Sequence, residues 1–129
     1  MNIGGKFVIK SLFLESDIIL RLFIFYPKLI LMETFQDIIK SETPVLVDFY
    51  ADWCGPCKAM NPVIKEVAKA TEGKARVIKV DIDKSVQAAQ TYHVQAVPTF
   101  IIFKKGNIIW RHSGMIDKNS LMTVLTQNS

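Results

Sequence analysis

The chain has 129 residues, half of them hydrophobic and 22% charged, with a formal net charge of +4. That length carries one domain with its own hydrophobic core, and the composition excludes a disordered chain. The positive charge forms no basic stripe or aromatic-interleaved patch, which argues against a nucleic-acid-binding surface, and two cysteines are too few for the disulfide framework of a small secreted domain.

Residues 1–31 are apolar but irregular, with FVI, LFL, IIL, LFIFY and LIL separated by charges. Glu15, Asp17, Arg21 and Lys28 cut every run short of the ~20 residues that a membrane helix needs. A signal peptide would show an unbroken apolar region of about 7–15 residues and then a small-residue cleavage site. The reading is of an N-terminal extension, weakly structured and dispensable for function, which need not belong to the protein as made. A membrane-associating arm is one alternative; an edge strand drawn from the last few of these residues is another.

From Met32 the pattern becomes regular. Thr34, with Asp37 three residues on, forms a candidate capping box for a short helix through Lys40, which Pro44 stops. VLVDFY at 45–50 is an apolar, β-branched run and reads as a buried strand. A helix follows from about Cys54 to Ala70, with Pro62 expected to kink it and Gly73 to punctuate its end. RVIKVDI at 76–82 is a second strand, and SVQAAQTY at 85–92 is a helix with Ser85 as its cap. TFIIF at 99–103 and IIWRH at 108–112 flank a turn at Gly106 and form a hairpin. Asp117 caps a last helix carrying Leu121, Met122, Val124 and Leu125. Two strands joined through a helix lie parallel with a right-handed crossover, and the hairpin is antiparallel. The predicted fold is therefore α/β, a mixed sheet with helices on both faces, built from residues 32–129.

Both cysteines lie in WCGPCK at 53–58. A bridge between such close neighbours closes a very short loop and constrains the unfolded chain little. Zinc wants about four ligands; no other cysteine exists, and His93 and His112 stand at spacings unlike any finger. No metal site is expected, and the histidines read as structural or surface residues. A reversible redox couple fits better. At a helix N-terminus the unpaired N–H groups and the helix dipole stabilise a thiolate, so Cys54 should ionise below the ~8.5 of a free cysteine and act as the attacking sulfur. Cys57, one turn in, lies on the same face and would resolve a mixed disulfide. Gly55 allows another chain to approach, and Pro56 is tolerated in a first turn whose N–H groups have no partner.

VDFYADWCGPCK at 47–58 resembles the active-site segment of the thioredoxin family. Pro62, VIKVDID at 77–83, AVPTF at 96–100, the KKGN turn and Gly114 follow in that family's order, so the resemblance covers about residues 32–129. It implies that Cys54 attacks, that Cys57 resolves, and that Asp48 is the buried carboxylate that moves protons during the resolving step. A carboxylate inside an apolar strand is costly to ionise, so its pKa should rise toward neutrality, where it can take the proton of Cys57. The resemblance further makes Lys79 the tuning partner of Asp48, and Pro98 a cis-proline facing the cysteines. Val97 would offer its backbone to an extended substrate. Trp53, Gly55, Pro56 and Gly114 would complete the docking surface. On the residues alone quieter readings stand beside these: a satisfied strand-end carboxylate, a solvated lysine, a trans edge proline, a packing tryptophan. Tyr50 stands where the family often has Trp or Phe, and Asp52 occupies a variable position. The family's extra strand before the first helix has only Lys28–Leu31 to draw on, directly after Pro27.

The function so implied is that of a protein disulfide oxidoreductase acting mainly as a reductant. It would be a cytoplasmic monomer with no bound cofactor, no nucleic-acid partner and no stable membrane association. Its partners would be many disulfide-containing clients and a thioredoxin reductase, which carries the flavin and draws on NADPH. The rivals are a membrane-tethered, extracytoplasmic (periplasmic) oxidoreductase anchored by residues 1–31, and a thioredoxin-fold module that docks without turnover. The intact CGPC weighs against the second, because a scaffold has little need of an activated thiol pair.

Overall fold

Six consecutive residues, Val45–Tyr50, are buried without interruption, as a strand must be when helices cover both faces of its sheet. The computed structural model describes residues 33–129 and the backbone of residues 9–11. Among these the elements are β1 (Ile9–Ser11), α1 (Phe35–Ile39), β2 (Val45–Tyr50), α2 (Gly55–Ala70), β3 (Arg76–Asp81), α3 (Val86–Thr91), β4 (Thr99–Lys104), β5 (Asn107–Ser113) and α4 (Lys118–Gln127). The sheet order is β1-β3-β2-β4-β5. β2 and β3 run parallel, while β4 is antiparallel to β2 and β5 to β4. The mixed sheet and the closing hairpin are those read from the sequence, with bounds shifted by a residue or so.

The edge strand comes from elsewhere than expected. β1, at Ile9–Ser11, pairs antiparallel with β3, setting Lys10 opposite Lys79. The stretch Lys28–Leu31 lies outside the described residues.

Local chemistry explains the helix starts. Thr34 Oγ1 accepts from the Asp37 amide at 3.2 Å, and Asp37 Oδ2 accepts from the Thr34 amide at 3.0 Å, closing the capping box of α1. Asp117 Oδ1 accepts from the Ser120 amide at 2.9 Å and caps α4. Ser85 occupies the N-cap of α3 by position, and its side chain does not bond to the first-turn amides of the helix. Pro62 lies on the exposed side of α2, and the helix continues past it to Ala70.

Alternation along the strands sorts the core into two layers. Val45, Val47, Phe49, Ile78, Val80, Ile101 and Phe103 face α1 and α3, where Phe35 meets Phe103 edge-on at 5.8 Å between ring centroids. Leu46, Val77, Phe100 and Ile102 face the other way, onto Met60, Ile64 and Val67 of α2 and Leu121 and Leu125 of α4. By the same period of two, Asp48 and Lys79 lie on the α2 face. At the far end of the sheet the β4–β5 turn is tied back to α1. The amides of Lys105 and Gly106 donate to the carbonyls of Ser41 (2.9 Å) and Ile39 (2.8 Å). That turn needs left-handed backbone at Lys105 (φ 53°) and Gly106 (φ 83°), the conformation glycine adopts at least cost.

Candidate active site

β2 ends at Tyr50, and a short turn through Asp52 and Trp53 delivers Cys54 to the N-cap of α2. Cys54 Sγ accepts a hydrogen bond from the Cys57 amide at 3.1 Å, the place an Asp or Ser side chain fills in an ordinary N-cap. A sulfur here faces the positive end of a 16-residue helix, so its anionic form is favoured. Cys54 and Cys57 are joined as a disulfide with Cα atoms 5.3 Å apart, and both are buried. Gly55 and Pro56 between them are exposed, and nothing lies within 4 Å of where a Gly55 side chain would begin, which leaves that side open to an approaching chain.

Across from the pair, the Val97–Pro98 peptide bond is cis, the isomer the resemblance implies. The Val97 carbonyl oxygen is 3.7 Å from Cys54 Sγ. A disulfide sulfur carries no hydrogen, so this is a contact in the oxidised protein and becomes a hydrogen bond only when Cys54 is a thiol. Gly114 has φ 95° and donates its N–H to the Pro98 carbonyl at 2.8 Å, holding the end of β5 against the proline loop. Its left-handed backbone, rather than lack of space, is what favours glycine there. Trp53 is 68% exposed, and its indole N–H donates to Asp83 Oδ2 at 2.9 Å, which fixes the ring at the rim. Val97 thus packs against the sulfurs, Trp53 precedes Cys54 at the exposed rim, and Gly114 is tied to the proline loop.

Behind the cysteines, Asp48 is 1% exposed, and its Oδ1 has no hydrogen-bond partner. Burial pushes its carboxyl up to about 7, against an opposing pull from the Lys79 ammonium. The two are register partners on adjacent strands. Lys79 is not the solvated lysine of the quieter reading: it is 9% exposed, donates to Asn61 Oδ1, and sits over the Tyr50 ring at 4.3 Å from its centroid. A cavity of about 160 Å³ opens beside Cys57, bounded by Tyr50, Asp52, Lys58, Asn61 and Lys79. Asn61 is the residue that sequence reasoning missed; its position four after Cys57, one turn along the same helix face, was the available signal. His112 stacks on Trp110 and bonds to the Met115 carbonyl (3.1 Å), away from the sulfurs. Among the described residues no group of three or more His, Cys, Asp or Glu is placed to hold a metal ion.

A dithiol pair that can close into a disulfide at a helix N-terminus, beside a proline loop and over a buried carboxyl, defines a thiol–disulfide oxidoreductase. Comparison with known proteins agrees. The Thioredoxin family model matches residues 27–127. A thioredoxin of Pseudomonas aeruginosa is 42% identical over 93 residues, covering 72% of this chain and 86% of that protein. Thioredoxin 1 of a Nostoc species is 41% identical over 93 residues, with 72% and 87% covered. Among solved structures, a mutant thioredoxin from Halobacterium salinarum superposes with a TM-score of 0.67 at 34% identity, over 72% of this chain and 80% of that one. Mitochondrial thioredoxin 3 of Saccharomyces cerevisiae, in its oxidised form, gives 0.66 at 34%, over 72% and 86%. The chain belongs to the thioredoxin family.

Proposed function

We propose that this protein reduces disulfides in client proteins, with Cys54 as nucleophile, Cys57 as resolving thiol and Asp48 as the proton acceptor between them. The observation that carries this reading is the Cys54–Cys57 pair at the N-terminus of α2 with a buried carboxyl on the sheet behind it, one oxygen of which has no hydrogen-bond partner. In the reduced protein, Cys54 thiolate attacks one sulfur of the client. A new S–S bond forms, the client's bond breaks, and its other sulfur leaves with the electron pair and takes a proton. Asp48 then accepts the Cys57 proton, and the Cys57 thiolate attacks Cys54. The client's remaining sulfur is released as a thiolate, so the client gains two electrons and the protein becomes the disulfide. The polar cavity beside Cys57 links this step to solvent, and Lys79 tunes how strongly Asp48 holds the proton.

Trp53, Val97 and Gly114, with Gly55 and Pro56 between the sulfurs, form the client surface. An extended client segment would pair with the Val97 backbone, a mode that reads little side-chain identity and suits many clients. The pair is returned to the dithiol by a flavin-bearing, NADPH-dependent reductase. The protein works as a monomer in the cytoplasm: its two cysteines are both in the redox pair, a cysteine usage suited to a reducing compartment. Among the described residues no helix is long and apolar enough to cross a membrane. Residues 1–31 are dispensable for turnover in this reading, since none of the side chains assigned to the chemistry lies among them; the strand they supply is at the edge of the sheet, on β3.

Trapping tests the roles. Cys54→Ser abolishes reduction of a protein disulfide, whereas Cys57→Ser accumulates mixed disulfides through Cys54, read by mass spectrometry. A Cys57→Ser protein that traps nothing and turns over at the normal rate refutes the assignment.

A further inference from the structure

A buried ammonium keeps its charge only where acceptors replace water. Lys79 is 9% exposed, and one of its donors goes to the side-chain carbonyl of Asn61. Its stem points from β3 toward the same face as its register partner Asp48, yet Asp48 Oδ1 receives no hydrogen bond from it or from any other group. The cation bends instead across the Tyr50 ring to the rim of the cavity, where Asn61 waits one helical turn beyond Cys57.

We infer that Asn61 is a positioning residue: by accepting from Lys79 it holds the ammonium at the cavity rim and away from Oδ1 of Asp48. This deepens the proton-transfer reading above and rests on it for its catalytic meaning. A cation bonded directly to Asp48 would make it a strong acid and a poor proton acceptor; a cation drawn aside leaves it basic enough to take the thiol proton. Burial then dominates the carboxyl and raises it, with the Lys79 charge as the smaller, opposing influence. The other titratable groups around the two are Tyr50 and Asp81 on the strands, Asp52 in the turn, and Cys57 and Lys58 on α2. Lys58 and Asp52 are exposed at the mouth of the cavity.

The position of the cation can be read without turnover. The Asp48 carboxyl carbon is followed by NMR through a pH series in the oxidised full chain, where the cysteines do not titrate. Asn61→Ala frees the ammonium to reach Asp48, and the Asp48 midpoint falls by about one pH unit or more, a tenfold or greater loss of proton affinity. Asn61→Asp holds the ammonium more firmly and adds a negative charge, so the midpoint rises. In a Lys79→Met background Asn61→Ala leaves the midpoint where Lys79→Met alone puts it. An unchanged midpoint in Asn61→Ala, a fall in Asn61→Asp, or a full shift persisting without Lys79 overturns the inference, the last because Asn61 would then act through packing or solvation. Failure of Asp48 as proton acceptor shows separately, as a normal resolving rate in Asp48→Asn, and leaves the titration result intact.

Discussion

Asp48→Asn should stabilise the oxidised protein, by an amount that grows with pH. The carboxyl titrates near 3.8 when exposed and near 7 in the fold, because burial penalises its charged form. Below about pH 4 both folded and unfolded chains carry the proton, and ionisation costs nothing. From there to about pH 7 the unfolded chain ionises while the folded one stays neutral, so stability falls as pH rises, by about 1.4 kcal/mol per unit. Above the folded value the charge is buried and the penalty levels off at about 4 kcal/mol. Asparagine keeps the shape without the charge. Its amide hydrogens enter a site where one carboxyl oxygen already lacks a partner, which takes back about 1 kcal/mol. The net gain at pH 8 is thus about 3 kcal/mol and shrinks toward zero, or slightly below, at pH 4. Urea denaturation of the oxidised wild type and variant at half-unit pH steps gives both curves directly. A difference that is the same at every pH, or a variant less stable at pH 8, refutes the argument, since either would mean that the carboxyl is not strained by ionisation.

Other expectations follow from the packing and the site. Phe35→Ala removes a ring that contacts Phe49, Tyr92 and Phe103 at 6.5, 5.5 and 5.8 Å, and should lower the denaturation free energy by about 3–5 kcal/mol. Trp53→Phe loses the bond to Asp83 at an exposed position; stability should change by less than about 1 kcal/mol, while KM for a protein disulfide rises more than kcat falls. The reduction potential, measured by equilibration with dithiothreitol, should lie near the established thioredoxin value of about −270 mV. A result near about −120 mV would make the protein a disulfide donor instead.

The sequence was most legible where short-range chemistry decides structure. The capping box at Thr34 and Asp37, the apolar run at 45–50 and the glycine turn at 106 each carry their own local reason, and the CGPC segment placed the sulfurs at a helix start. What stayed hidden depends on contacts between distant segments. Three residues, Ile9–Ser11, are too few to show a strand's alternation, and they become a strand only by pairing with β3. Lys79 looks like any charged residue in a strand pattern until α2 covers it. Asn61, in the middle of a helix, has no local pattern to distinguish it from a solvated surface amide; its meaning comes from a lysine 18 positions away. His93, with φ 53° just past α3, adopts a left-handed conformation that nothing in VQAAQTYHV announced.

The tie between the β4–β5 turn and the carbonyls of Ile39 and Ser41 lies at the pole of the sheet opposite the sulfurs. It joins stretches of chain more than sixty residues apart, so neither can open to solvent without releasing the other, and slow amide exchange should be shared between α1 and the hairpin. The cysteine end, by contrast, is bounded by turns and loops: 51–54 before α2, 95–98 before β4, and Gly114 after β5. Fastening and reactivity are therefore spatially separated. A client can press on and distort the loops at one pole while the molecule remains anchored at the other, which is the mechanical condition for a protein that must be gripped and released many times without unravelling.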